Sequence, residues 1–66
     1  MVRKNLKKFR IDLGLKSKEM ADKLGVTRGY YSQLENGKKD PTFGLMEDFS
    51  KLFNYDDIWF LFQKEK

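Results

Sequence analysis

The side chains best suited to recognition chemistry lie in residues 25–41, GVTRGYYSQLENGKKDP, which combine a turn, a short helix, a glycine stop and a basic loop. Arg28 can donate two hydrogen bonds to guanine O6 and N7, and Gln33 can pair with adenine N6 and N7. Each such pair discriminates against a wrong base by roughly 1 to 3 kcal/mol. In a small basic chain, this combination predicts a helix that enters the major groove of DNA.

The composition excludes several classes of protein. A chain of 66 residues can hold only one small core, so we expect a single domain over residues 1–66. It has no Cys and no His, and no glycine-rich phosphate loop follows a predicted strand, so we expect no metal, no cofactor and no enzymatic activity. Fourteen Lys and Arg against ten Asp and Glu give a net charge of +4, which favours a polyanionic partner.

The distribution of apolar residues also excludes a membrane protein. No stretch approaches the ~18 apolar residues of a membrane span, and MVRKNLKKFR has no apolar segment behind its charges, unlike a signal peptide. We therefore expect a cytoplasmic protein with no membrane partner and no small-molecule ligand.

The elements that must position the candidate helix are predicted to be helical as well. Leu6, Phe9 and Leu13 recur at helical spacing before Gly14 and predict a first helix. A second helix is predicted over residues 17–24, and a third over residues 28–36 with Thr27 as its N-cap.

Two further helices complete the prediction of an all-α fold with five short helices. The fourth runs from about residue 43 to residue 53, and its predicted inward residues are Met46, Phe49, Leu52 and Phe53. Asp56 or Asp57 is expected to cap a final helix that extends through residue 62.

Three small or apolar residues allow the second and third helices to cross closely. Ala21 keeps the crossing slim, Gly25 permits a positive φ in the turn, and Val26 fills the angle between the helices. With the pattern GLKSKEMADKLGVTRGYYSQLENGKKDP, the chain resembles the phage repressor and Cro-like (Xre-type) helix-turn-helix family. The resemblance implies a lambda-repressor-like domain, with the helix-turn-helix at about residues 17–36, that regulates transcription by binding double-stranded DNA, expected as a repressor.

The resemblance also implies which residues contact DNA. Since Tyr31 and Leu34 are expected to face the core, the other side of the third helix would face the groove. The residues implied to contact bases are Arg28, Gly29, Ser32 and Gln33. The residues expected to contact the DNA backbone are Ser17, Lys18, Thr27, Tyr30, Asn36, Lys38 and Lys39, with the main-chain amides of Gly37 and Lys38. The alternative for these side chains is an ordinary solvated face and a solubilising loop.

Two positions depart from the family pattern. The family usually has Ser or Thr followed by Gln at the start of the second helix, where this chain has Lys16 and Ser17. Relatives generally carry a side chain where this chain has Gly29, and glycine there costs about 1 kcal/mol of helix stability relative to Ala. Close approach to DNA and simple drift both remain open as explanations.

Several other charged residues are assigned to structure or left open. The family commonly pairs an Arg in the first helix with a Glu late in the third helix, and Arg10 and Glu35 match those positions. We expect a partly buried ion pair that fixes how the third helix is presented. Basic residues near the amino terminus either contact phosphate or form only the wet face of the first helix; they are Arg3, Lys4, Lys7 and Lys8.

The carboxyl-terminal segment carries more apolar surface than one short helix can bury. A symmetric homodimer on a palindromic operator is therefore expected through residues 55–62. The expected interface residues are Tyr55, Ile58, Trp59, Phe60 and Phe62. The alternative is that they only complete the monomer core. A rival function is a protein-interaction module, antitoxin-like or an adaptor, that would use this aromatic surface.

Overall fold

The computed structural model describes residues 2–64, and all of its regular elements there are helices. Within this range, five helices follow one another: α1 (Lys4–Asp12), α2 (Ser17–Leu24), α3 (Arg28–Glu35), α4 (Phe43–Phe53) and α5 (Ile58–Leu61). The prediction of an all-α fold with five short helices is confirmed. None of the helices in residues 2–64 is long and apolar enough to cross a membrane.

Side-chain caps explain where three of the helices begin. The Oγ1 atoms of Thr27 and Thr42 accept hydrogen bonds from the amides of Tyr30 and Leu45, each at 3.1 Å. Asp57 caps α5 in the same way through the Phe60 amide at 3.4 Å. Each cap satisfies one of the amides that a helix start leaves without a partner.

The core lies where the five helices meet, and each helix contributes to it. The buried hydrophobic residues are Leu6, Met20, Ala21, Tyr31, Leu34, Leu45, Met46, Phe49, Leu61 and Phe62. Aromatic contacts join α1 to the carboxyl-terminal half, because the Phe9 ring lies 5.6 Å from Phe49 and 5.2 Å from Tyr55 between centroids. Large rings supply the buried area that a chain of this size needs.

The structure differs from the sequence prediction at two apolar positions, one expected in the first helix and one expected to face inward from the fourth. Leu13 is 46% exposed, because α1 ends at Asp12 and Leu13 belongs to the turn that follows. Leu52 is 50% exposed, because it lies at the edge of the apolar stripe of α4, which is centred on Phe49. Leu45, which was not predicted to face inward, is buried. Sequence spacing identified the stripe but not which of its edges other helices cover.

Candidate nucleic-acid interface

The turn between α2 and α3 fixes the direction of α3. Gly25 adopts a left-handed conformation with φ 72°, and the Val26 amide donates to the Ala21 carbonyl at 3.0 Å. Apart from its two chain neighbours, none of the described residues lies within 4 Å of the place where a Cβ on Gly25 would stand, so glycine is favoured there by backbone conformation rather than by space. Thr27 then caps the first turn of α3, which begins in a defined orientation.

The two sides of α3 have opposite environments. Tyr31 and Leu34 have no exposed surface. Three of the residues predicted to contact bases, Arg28, Gly29 and Gln33, are exposed, and the fourth, Ser32, is half-buried. All four lie on the outward half of the helix, and the buried pair holds the opposite half against the core.

The amino-terminal ends of α2 and α3 form an open groove with a basic lining. The lining residues are Lys16, Ser17, Lys18, Arg28 and Ser32. Lys18 Nζ lies 3.5 Å from Asp22 Oδ2, but both side chains are exposed, so this ion pair is weak and can yield to a competing anion. The groove therefore combines two predicted backbone-contacting residues, Ser17 and Lys18, with two predicted base-contacting residues.

The basic loop, residues 36–40, follows α3 and turns through Gly37 at φ 77°. Its amides are already engaged: the Gly37 amide donates to the Leu34 carbonyl at 3.2 Å, and the Lys38 amide to the Gln33 carbonyl at 2.9 Å. The expectation that the Gly37 and Lys38 amides bind phosphate was therefore wrong, because they close the end of α3 instead. The side chains of Asn36, Lys38 and Lys39 are exposed.

Two further predicted backbone-contacting residues, Thr27 and Tyr30, belong to the cap and first turn of α3. The Thr27 hydroxyl already accepts the capping hydrogen bond from the Tyr30 amide, although the residue is exposed. The Tyr30 ring is half-buried against the core. Both residues lie at the start of α3, at the edge of its outward half.

Arg10 and Glu35 form a largely buried ion pair between α1 and the end of α3. Arg10 Nε donates to Glu35 Oε2 at 2.6 Å, and Arg10 Nη2 donates to Glu35 Oε1 at 3.3 Å. The third arm of the guanidinium donates to the Leu15 carbonyl at 2.8 Å. The hydrogen bond to Glu35 raises the pKa of Arg10 above its usual value, despite the opposing effect of burial. The pair ties α3 to α1.

The hydroxyl of Tyr31 lies beside this ion pair. It is buried and has no hydrogen-bond partner among the described residues. Burial raises the pKa of Tyr31 above its usual range, and the Glu35 carboxylate adds to the rise. The hydroxyl is therefore neutral at physiological pH.

Arg3 is the functional candidate whose position the sequence did not indicate. Only 2% of Arg3 is exposed, whereas Lys4, Lys7 and Lys8 are exposed. The exposure of the three lysines agrees with the solvated-face alternative, whereas the burial of Arg3 fits neither that alternative nor direct contact with phosphate. The partners of Arg3 are main-chain carbonyls and a carboxylate that are distant in sequence, and residue spacing does not predict such contacts.

The predicted dimer residues separate into exposed and buried ones. Trp59 and Phe60 are 67% and 50% exposed, Tyr55 and Ile58 are half-buried, and Phe62 is only 6% exposed. The inclusion of Phe62 in an interface was wrong, because its ring packs on Phe49 in the core at 5.4 Å.

An exposed aromatic pair on α4 and α5 extends this surface in a way that the sequence did not indicate. Phe43 is 76% exposed, and its ring meets Trp59 edge to face at 6.2 Å between centroids. Phe43 and Trp59 are called the aromatic face below. Phe60 lies elsewhere, in a groove with Asn5 and Lys8 of α1.

The amino-acid sequence is similar to one known family and to several known proteins. The family model described as helix-turn-helix matches residues 6–60. The plasmid copy control protein CopR of Streptococcus agalactiae is 45% identical over 53 residues, which are 79% of this chain and 54% of CopR. No solved structure gives a significant match.

Two proteins of Bacillus subtilis (strain 168), each described as an uncharacterized HTH-type transcriptional regulator, are also similar. YqaF is 32% identical over 62 residues, which are 94% of this chain and 79% of YqaF. YqaE is 40% identical over 58 residues, which are 88% of this chain and 45% of YqaE. The chain thus spans about half the length of CopR and of YqaE.

Proposed function

We propose that this chain, which belongs to the helix-turn-helix family, binds double-stranded DNA in a sequence-specific way and acts as a small transcriptional regulator. The observation that carries the proposal is the division of α3, with Tyr31 and Leu34 fully buried and Arg28 and Gln33 exposed on the other side. A helix held in this way can enter the major groove as a rigid unit. The relatives described as HTH-type transcriptional regulators favour the same role.

Base recognition would come from the outward half of α3. Arg28 would donate two hydrogen bonds to guanine, and Gln33 would pair with adenine. Ser32 is a shorter and less selective reader, and Gly29 allows the helix backbone to come close to the base edges.

Contacts to the phosphates would come from residues near both ends of α3. Ser17 and Lys18 lie in the groove beside Arg28, and Lys38 and Lys39 project from the basic loop beyond the other end. Asn36, Thr27 and Tyr30 would add further polar contacts to the DNA backbone. These contacts set affinity and register, whereas the contacts to base edges set sequence preference.

Repression is the mode of regulation that this arrangement favours. A domain seated in the major groove at a promoter prevents another protein from occupying the same DNA. Repression therefore needs only affinity, sequence preference and a suitably placed operator.

A homodimer on a palindromic operator would double the recognised sequence. The aromatic face is the surface that favours self-association, because Phe43 and Trp59 expose large rings that a second copy could cover. Phe43 and Trp59 line a groove together with Glu47 and Lys51. This surface therefore carries both signs of charge and suits a two-fold contact with itself.

Salt dependence tests the proposed DNA binding directly. A fluorescein-labelled duplex of randomised sequence, about three helical turns long, would be titrated with the protein between about 50 and 200 mM salt. The logarithm of the association constant should fall linearly with that of salt concentration, by about 0.9 per phosphate contacted. Arg28→Ala should weaken binding, and Lys8→Ala, which removes a charge beside Phe60, should not. An affinity independent of salt would contradict the proposal.

The exposed aromatic face favours a second candidate, a protein-interaction module. In that case the partner would be a protein, and the affinity would depend on Phe43 and Trp59 rather than on Arg28. Such an apolar interface would also be much less sensitive to salt than phosphate contacts are.

A further inference from the structure

Arg3 has the most unusual environment of the charged residues described here. It is 2% exposed, although arginine is rarely buried unless its charge is paired. Its guanidinium donates to four different residues: to the Phe62 carbonyl at 2.8 Å, the Leu34 carbonyl at 2.6 Å, the Lys39 carbonyl at 2.8 Å and Asp40 Oδ1 at 2.9 Å. Its own amide donates to the Glu35 carbonyl at 2.7 Å.

The contacts to Leu34 and Glu35 complete the end of α3. The last carbonyls of a helix have no partner within the helix, and a positive charge there is favoured by the helix dipole. Arg3 supplies both a donor and the charge, from a segment about thirty residues earlier in the chain.

The contacts to Lys39 and Asp40 hold the basic loop. They attach the carboxyl-terminal end of the two-lysine segment to Arg3, through the Lys39 carbonyl and the Asp40 side chain. The Lys38 and Lys39 amides donate to the Gln33 carbonyl at 2.9 and 3.3 Å. Both ends of the two-lysine segment are therefore attached, and its ammonium groups start from a defined position.

Only a guanidinium can make this set of contacts. It carries five N–H groups in a rigid planar fork, whereas a lysine has three donors on a single nitrogen. The four acceptors come from three parts of the chain: the end of α3, the basic loop and the residue after α5.

We propose that Arg3 is a positioning residue for DNA binding: it holds Lys38 and Lys39 where they meet the phosphates, without touching DNA itself. This inference rests on the proposed DNA-binding function. Arg3 acts by attaching the basic loop to the end of α3, so that base contacts and phosphate contacts keep a fixed spacing.

The test uses Arg3→Met, Arg3→Lys and the matched control Lys4→Met, which removes the same charge from an exposed neighbour. Salt-dependent DNA binding would be measured on samples shown by circular dichroism to be folded. Loss of two phosphate contacts should make the salt slope shallower by up to about 1.8 for both Arg3 variants. Lys4→Met should keep the parental slope. Rescue by Arg3→Lys, or an unchanged slope in both folded Arg3 variants, would overturn the positioning role.

Hydrogen exchange gives a readout that does not require DNA. The Lys38 and Lys39 amides should exchange faster in both Arg3 variants, while the Val26 amide in the α2–α3 turn should keep its protection. Uniformly faster exchange would indicate global destabilisation and would count against a local positioning role.

Asp40→Ala keeps the proposal testable even if neither Arg3 variant folds, because the Asp40 side chain is 75% exposed. Removing a negative charge should by itself strengthen DNA binding, whereas loss of the Arg3 contact should weaken it and make the salt slope shallower. Tighter binding with an unchanged slope would overturn the inference. If the parent protein itself bound no DNA, the proposed function would fall, whereas unaltered binding by the variants would remove only the role of Arg3.

Discussion

Arg3 and Arg10 both attach the amino-terminal segment to the end of α3, but they bind different groups there. The Arg3 amide holds the main-chain carbonyl of Glu35 at 2.7 Å, and the Arg10 guanidinium holds its carboxylate at 2.6 Å. Glu35 is thus fixed at both its main chain and its side chain. The presentation of α3 depends on charged groups that need not touch DNA.

Breaking the Arg10–Glu35 pair on one side should destabilise the fold strongly. Arg10→Met or Glu35→Leu alone strands a buried charge, and we expect a loss of about 3 to 5 kcal/mol in the free energy of unfolding. The double variant should lose less than either single one, because it removes both charges. Urea unfolding followed by circular dichroism measures all three. A double variant that loses the sum of the two single losses would contradict a coupled pair.

Tyr31→Phe should leave the protein as stable or more stable, by up to about 1 kcal/mol at neutral pH, because it removes a buried hydroxyl that has no partner within residues 2–64. The variant should also resist alkali better. The folded pKa of Tyr31 is raised above the usual 10.0, so above pH 10.0 the unfolded chain releases this proton before the folded chain does, and the stability of the parent falls as pH rises further. Urea unfolding at several pH values should show a steeper alkaline decline for the parent. Equal declines would count against this explanation.

Among the elements, α3 combines a tightly fixed inner side with an outer side that tolerates change. Caps, turn glycines and the contacts of two arginines define both of its ends. The exposed residues on its outer side can therefore be exchanged with little effect on the position of the helix.

Gly29→Ala separates stability from recognition within α3. Apart from its chain neighbours and the backbone of its own helix, no part of residues 2–64 lies within 4 Å of the place where the new Cβ would stand, and Gly29 is helical. The variant should therefore gain up to about 1 kcal/mol in stability. If Gly29 approaches base edges as proposed, its DNA affinity should fall at the same time. Thermal unfolding and DNA titration measure the two effects. Higher stability with unchanged affinity would mean that Gly29 is a product of sequence drift and has no role in DNA binding.

Local signals made most of the elements predictable from the sequence. Thr27, Gly25 and Asp57 act only on the turn they belong to or on the next one. The observed limits of α2 and the observed start of α3 therefore agree with the prediction, and α3 ends one residue earlier than predicted. The outward half of α3 followed from Tyr31 and Leu34 by helical periodicity alone.

Contacts between distant parts of the chain were not predictable in the same way. Arg3 and Phe43 owe their environments to residues that lie next to them only after folding, such as Phe62 and Trp59. The amides of the basic loop were assigned to phosphate because the sequence does not show that the Gln33 and Leu34 carbonyls take them.

At the scale of the whole molecule, the proposed DNA contacts and the aromatic face belong to different elements. The DNA contacts involve α2, α3 and the basic loop, whereas Phe43 and Trp59 lie on α4 and α5. One surface can therefore bind DNA while the other binds a second copy of the chain.

Trp59→Ser should weaken self-association, and Phe60→Ser is its matched control. Both residues are exposed on α5, but only Trp59 belongs to the aromatic face, and Phe60 lies in the groove beside α1. Sedimentation velocity over a range of protein concentrations should show a dimer for the parent and for Phe60→Ser, and a monomer for Trp59→Ser. The reverse result would move the interface to the groove between α1 and α5.

The most direct test of sequence-specific binding by α3 is selection of bound duplexes from a randomised DNA pool at near-physiological salt. The parent should enrich an inverted repeat whose half-sites lie about one helical turn apart. Arg28→Ala should lose preference at one base pair of each half-site, at a cost of roughly 1 to 3 kcal/mol there. A folded parent that enriches no sequence, or an Arg28→Ala variant that enriches the parental repeat unchanged, would contradict it.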